Sequence, residues 1–147
     1  MHSVRSQSVT RVASFSAAHR LPLHSGLCQH VHGHNYDVEV TVTVDSVRSS
    51  EGMIIDFGYL DQIIDTVIIN KYDHSFIRYS GDNAVLVGSN HICVLDVMPT
   101  AENMSRIFAV EIMSAVRFQC AETVRSVRVA VWENKKSKAE CEVVCED

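Results

Sequence analysis

Three histidines stand out by their spacing. His19 lies in the run Phe15-Ser-Ala-Ala-His19-Arg-Leu, and His32 and His34 flank Gly33. Successive side chains of a β-strand point to opposite faces, so His32 and His34 share one face. A neighbouring antiparallel strand carrying His19 adds a third imidazole. Three histidines with an open position suit a catalytic zinc, because the open position holds water or substrate. Cys28 precedes His32 closely enough to serve as base or nucleophile beside such a cation, where the reactive thiolate form is favoured.

Other candidates gain meaning only from company. Asp73-His74 alone reads as a helix-capping acid beside a surface histidine. Near Cys28 it would form a relay, with the carboxylate orienting the imidazole. Glu133 ends a largely apolar strand, where a carboxylate is unusual. Alone it is the first solvated residue of a turn. Functionally it offers two acceptors to a guanidine-like edge, such as that of a pterin or guanine ring. His2, His24 and His91 read as ordinary core or surface residues.

The elements that must position these groups follow from periodicity. Val9–Ala17 reads as a strand, and Leu21–Cys28, with Pro22 and Gly26, as a loop. Asn35–Val44 alternates Tyr36, Val38, Val40, Val42 and Val44 with polar residues, giving one buried and one wet face. Its register extended backwards puts His32 and His34 on the valine face. Arg48–Gly52 is a polar turn, and Met53–Phe57 a short strand with Asp56 as a helix N-cap. Leu60, Ile63, Ile64, Val67 and Ile68 recur at helical spacing over Phe57–Ile69. Lys71–Tyr79 is a connection. Ala84–Val87 and His91–Val97 read as a small inserted hairpin around Gly88-Ser-Asn.

Thr100 is the N-cap of a second helix, whose apolar stripe runs from Met104 to Val116. Val124–Trp132 is an alternating strand, Asn134–Lys138 a basic turn, and Ala139–Val144 the returning strand. The order indicates one α+β domain over residues 1–147, with an antiparallel sheet.

Composition narrows the function classes. A net charge of −5 argues against general nucleic-acid binding. No apolar run is long enough to span a membrane, and the N-terminus lacks a secretory stretch, so the expected location is cytoplasmic. Five cysteines without a C-x-x-C pair argue against a disulfide framework.

Together these residues resemble the 6-pyruvoyl-tetrahydropterin synthase and 6-carboxytetrahydropterin synthase family. The matching pieces are Phe15-Ser-Ala-Ala-His19-Arg-Leu, Cys28-x-x-x-His32-Gly-His34-Asn-Tyr, Gly52-Met-Ile-Ile-Asp56-Phe, Tyr72-Asp73-His74, Pro99-Thr100-Ala-Glu102-Asn and the strand ending at Glu133. They cover nearly the whole chain in family order. The resemblance implies the tunnelling fold: a four-stranded antiparallel sheet with two helices on one face, here with the small inserted hairpin. It also implies a homohexamer, a dimer of trimers, with sites between subunits.

By the same resemblance, His19, His32 and His34 bind zinc. Cys28 is the proton-abstracting thiolate, and Asp73 and His74 are an acid/base pair from a neighbouring subunit. Glu133 anchors the pterin ring, and Thr100 and Glu102 help shape its pocket. The implied substrate is 7,8-dihydroneopterin triphosphate.

The short gap from Cys28 to His32 and the Met53–Phe57 segment favour the carboxy branch. That branch yields 6-carboxy-5,6,7,8-tetrahydropterin, acetaldehyde and triphosphate, on the way to queuosine and other deazapurines. The alternatives are the pyruvoyl branch, a catalytically silent zinc-stabilised module of the same fold, and a zinc hydrolase. Leu27 and His30 depart from the basic residues common at those places in the carboxy branch. The segment from Ser80 to Val97 is longer than in compact relatives.

Overall fold

The computed structural model describes residues 1–83 and 91–146. Two long strands, β1 (Gln7–His19) and β2 (His32–Val44), form an antiparallel ladder that opposes Gln7 to Val44 and His19 to His32. β5 (Val124–Asn134) pairs with β2, and β6 (Ser137–Val144) with β5, both antiparallel. These four strands are the antiparallel sheet read from the alternation. Two short strands extend it, β3 (Ser75–Tyr79) and β4 (Ile92–Leu95), in the order β4-β3-β1-β2-β5-β6.

Two expectations need correction. Lys71–Tyr79 is not merely a connection, because β3 lies within it and pairs parallel to the end of β1 at Ala17–His19. The first arm and turn of the expected hairpin, residues 84–90, lie outside the described residues; its second arm contains β4, which pairs parallel to β3. Finally, Met53–Asp56 is an irregular approach to a helix, not a strand; Ile54 and Ile55 are buried there as anchors.

The helices cover one face of the sheet. Helix α1 (Phe57–Ile64) starts where expected: the Asp56 carboxylate accepts from the amides of Gly58 and Tyr59. It continues as a π-helical stretch, Asp65–Ile69, and a last α-turn, Asn70–Tyr72. The wider turns coincide with consecutive β-branched residues, Thr66 to Ile69, which crowd a regular α-helix. Helix α2 (Ala101–Val116) is capped by Thr100, whose hydroxyl accepts from the amide of Asn103.

Met104, Phe108, Ile112 and Val116 of α2 meet Leu60, Ile64 and Ile68 over the valine row of β2. Val38, Val40, Val42 and Val44 are wholly buried. Phe15 stacks on Tyr36, and Tyr72 packs edge-on against Phe108. Among the described residues, no helix is long and apolar enough to cross a membrane.

Candidate metal centre and its surroundings

The inward row of β2 changes character at its first residues. Beyond Tyr36 the valines give way to His34 and His32, and β1 contributes His19 directly opposite His32. One ligand atom from each imidazole lies within 4.8 Å of the others. His19 is almost wholly buried, while His32 and His34 are half-buried.

Hydrogen bonding decides which nitrogens are free. The Nδ1 of His19 lies 2.7 Å from the Pro99 carbonyl oxygen. A carbonyl only accepts, so Nδ1 carries the proton and Nε2 keeps its lone pair. His32 repeats the arrangement, with Nδ1 2.7 Å from the carbonyl of His30. The Nε2 atoms of His19 and His32 then face each other at 3.0 Å with no proton between them. Two facing lone pairs repel unless they share a cation. Two nitrogens held about 2 Å from one tetrahedral zinc stand roughly 3.3 Å apart. The Nε2 of His34 is buried without a hydrogen-bond partner, and a buried orphan acceptor is costly. The three imidazoles thus fit a shared metal ion through their Nε2 atoms.

Electrostatics support neutral ligands. Burial pulls the His19 imidazole down to about 4, opposed by the Pro99 carbonyl and assisted by His32 and His34. Burial also lowers His34, against the opposing pull of the Glu133 carboxylate and main-chain carbonyl. Metal ligation requires the neutral imidazole. Behind the trio, the Tyr36 hydroxyl lies 3.3 Å from His19 Nδ1. Burial, with a smaller contribution from Glu133, raises the Tyr36 phenol above its ordinary range, so it stays neutral.

Cys28 sits half-buried in a single 3-10 turn, Leu27–Gln29, within the β1–β2 connection. Its carbonyl accepts from the Leu21 amide at 2.8 Å, closing the base of the loop. The loop exposes Leu23 and Leu27 to solvent. Glu133 lies where the β5–β6 register shifts, between Trp132 and Asn134. Such a bulge re-aims a side chain, and the Glu133 carboxylate acts on His34, opposing the lowering of its imidazole.

Asp73 and His74 form the expected pair, but elsewhere. Asp73 accepts from the Ser16 amide at 2.9 Å and from His74 Nδ1 at 2.9 Å. These bonds, the Ser16 amide first, hold its carboxyl below the ordinary carboxylate range. His74 has a left-handed backbone, φ 58°, and its amide donates to the Ser16 carbonyl at 2.6 Å. Few residues other than glycine adopt that conformation, and histidine is one that tolerates it.

The His74 side chain is 82% exposed. It lines a concavity of about 370 Å³ with Ser16, Ala18, Gly33 and Asn35, and the inward-row residues Ala17 and His34 also border it. Ser16, Ala18, Gly33 and Asn35 alternate with the inward residues, so their side chains lie on the face opposite the histidine side chains. Among the described residues, Cys28 makes no hydrogen bond to Asp73 or His74. One chain therefore presents the trio and the Asp73–His74 pair on opposite faces of the sheet.

Thr100 spends its hydroxyl on capping α2, and Glu102 is exposed in the first turn of that helix. Sequence reasoning missed the outer partners of the imidazoles: the carbonyls of Pro99, His30 and Glu133, and the Tyr36 hydroxyl. Carbonyls carry no side-chain signature. Tyr36 was visible as a core residue, and only its closeness to His19 reveals a second role.

A family model described as 6-pyruvoyl tetrahydropterin synthase matches residues 8–143. A Halobacterium salinarum protein, named a probable 6-carboxy-5,6,7,8-tetrahydropterin synthase, is 33% identical over 128 residues, covering 84% of this chain and 78% of its own length. A Rickettsia bellii 6-carboxy-5,6,7,8-tetrahydropterin synthase is 33% identical over 101 residues, 65% of this chain and 72% of its own. Among solved structures, the Plasmodium falciparum 6-pyruvoyl tetrahydropterin synthase superposes with a TM-score of 0.75 at 20% identity, covering 96% of this chain and 99% of that one. An uncharacterized Wolinella succinogenes protein gives the same TM-score at 19% identity, with the same coverages. At these identities the structural likeness speaks for the fold, which is the tunnelling fold.

Proposed function

The chain belongs to the 6-pyruvoyl tetrahydropterin synthase family, and we propose that it is a 6-carboxy-5,6,7,8-tetrahydropterin synthase. The reaction consumes 7,8-dihydroneopterin triphosphate and water. It releases 6-carboxy-5,6,7,8-tetrahydropterin, acetaldehyde and triphosphate. The observation that carries the reading is the convergence of three Nε2 lone pairs at one point, with Glu133 beside them. The names of the Halobacterium and Rickettsia relatives support the carboxy branch.

In this reading His19, His32 and His34 hold a zinc ion through Nε2. When bound, zinc supplies Lewis acidity to the hydroxyl-bearing side chain of the substrate. Glu133 accepts the paired N–H donors of the pterin ring, with Thr100 and Glu102 at the pocket wall. Cys28, as thiolate, takes the proton from the side-chain carbon. The hydrogen-bonded pair Asp73–His74 moves the second proton, with Asp73 holding the ring through Nδ1 and leaving Nε2 free.

The opposite facing of the trio and the pair supports a site completed by a neighbouring subunit. A homohexamer built as a dimer of trimers satisfies that requirement. Soluble cytoplasmic chemistry, feeding queuosine and related deazapurines, is the setting we propose.

The test is mass-spectrometric product analysis of zinc-loaded protein given 7,8-dihydroneopterin triphosphate, with Cys28→Ala in parallel. The expected products are 6-carboxytetrahydropterin and acetaldehyde, and the variant should lose about 10²- to 10⁴-fold in rate while still binding zinc. A pyruvoyl product would move the chain to the other branch. Unchanged substrate from folded, metal-loaded protein would favour a silent module, and full activity in the Cys28 variant would remove the thiolate from the mechanism.

A further inference from the structure

Two imidazoles of the trio, His19 and His32, are held on their outer side by main-chain carbonyls from different segments. His32 Nδ1 donates to the His30 carbonyl at 2.7 Å, in the loop that carries Cys28. His19 Nδ1 donates to the Pro99 carbonyl at 2.7 Å, next to Thr100 and the start of α2. Glu133, on the bulge between β5 and β6, acts on His34 through its charge and its main chain, which oppose the lowering of that imidazole by burial. These three segments are far apart in sequence. Each carries a residue assigned above to the substrate: Cys28, Thr100 and Glu133.

From this we infer that His30 and Pro99, through their carbonyls, and Glu133, on its bulge beside the end of β2, are positioning residues that couple metal binding to the order of all three substrate segments. The inference rests on the assignment of Cys28, Thr100 and Glu133 to substrate. Its physical basis is the pairing on the His19 and His32 rings. A carbonyl on Nδ1 fixes the tautomer that leaves Nε2 as a ligand, and such outer partners typically alter metal affinity by about 10- to 100-fold.

Coupling of this kind is reciprocal. An ordered carbonyl aims the ring for the ion, and a bound ion holds the ring, and hence the carbonyl, in place. Without the ion, the facing Nε2 atoms of His19 and His32 at 3.0 Å favour rotation of a ring, which breaks a carbonyl bond. The loop holding Cys28 buries little apolar surface, with Leu23 and Leu27 exposed; most of its hydrogen bonds are local turns, such as His24 to Leu21 and His30 to Leu27, and the Leu21 amide to the Cys28 carbonyl closes its base. Metal release therefore loosens the catalytic loop, the Pro99 turn and the Glu133 bulge together.

Hydrogen exchange by mass spectrometry on the full chain tests this, at constant pH, with a chelator and then with zinc alone. Exchange should slow about tenfold in all three segments, residues 21–31, 97–101 and 132–137, in line with outer-partner effects. The remote turn 48–52 should exchange unchanged, which separates the coupling from general stabilisation. Zinc uptake with protection confined to the ends of β1 and β2 would overturn the coupling, even in a protein that makes the carboxy product. Protection of all three segments in a protein that leaves the pterin unchanged would sustain the coupling and overturn the assigned activity. A chain that takes up no zinc would overturn both.

Discussion

The two ends of the β1–β2 ladder share one inward face and behave in opposite ways. At the far end, Val38, Val40, Val42 and Val44 are wholly buried and need nothing from outside the chain. At the near end the row continues as His34 and His32, with His19 across from them, and the interior becomes polar. There the chain leaves an orphan nitrogen and two facing lone pairs. The valine end is stabilised by packing, whereas the histidine end is a group that could hold a metal ion. Marginal stability lets a fold keep one such frustrated corner if the rest is well packed.

Three measurements sharpen this comparison. The largest effect concerns pH in the metal-free protein. His19 is held at about 4 when folded, against an ordinary value near 6.5. Between those values the unfolded chain binds the extra proton, so stability is full above pH 6.5 and falls as pH drops towards 4. The loss amounts to roughly 3 kcal/mol. Denaturant unfolding in chelator at pH 7.5 and 4.5 measures it, and a flat profile would contradict neutral burial of His19.

Next in size, Val40→Ala should cost roughly 2 kcal/mol through lost burial and the cavity left behind. Zinc uptake should stay as it was, because the change lies in the self-sufficient end. A variant that also lost zinc would show that the two ends are one cooperative unit.

The smallest effect runs the other way. His34→Leu removes the orphan nitrogen, so in chelator it should stabilise the fold by about 1 kcal/mol, while abolishing tight zinc binding. A destabilised variant would mean that the imidazole is satisfied without metal, and that the corner is not frustrated.

Much of this was legible in the chain itself. The alternation of Tyr36 to Val44 with polar residues defined β2 and its inward face, and carrying that register back to His32 was correct. Asp56 and Thr100 declared their helices through ordinary cap chemistry. The errors fall where local pattern is weak. Met53–Asp56 has the composition of a strand, yet finds no partner strand among the described residues. Ile92–Leu95 was recognised as extended, but its parallel pairing depends on β3, whose place beside β1 no local signal reveals. The change from α to π geometry at Asp65 likewise had no clear mark beyond a run of β-branched residues.

By itself, then, the sequence determined side-chain chemistry and periodicity: which residues can ligate, which face each strand buries, and where helices begin. Those properties are local, set by residue type and by the two- and 3.6-residue repeats of the backbone. Tertiary structure alone decided that the carbonyls of His30 and Pro99 meet the His32 and His19 imidazoles, and that His74 faces away from them. Carbonyls are the same in every residue, and the face a loop residue reaches depends on long-range pairing. No reading of neighbouring letters contains that information.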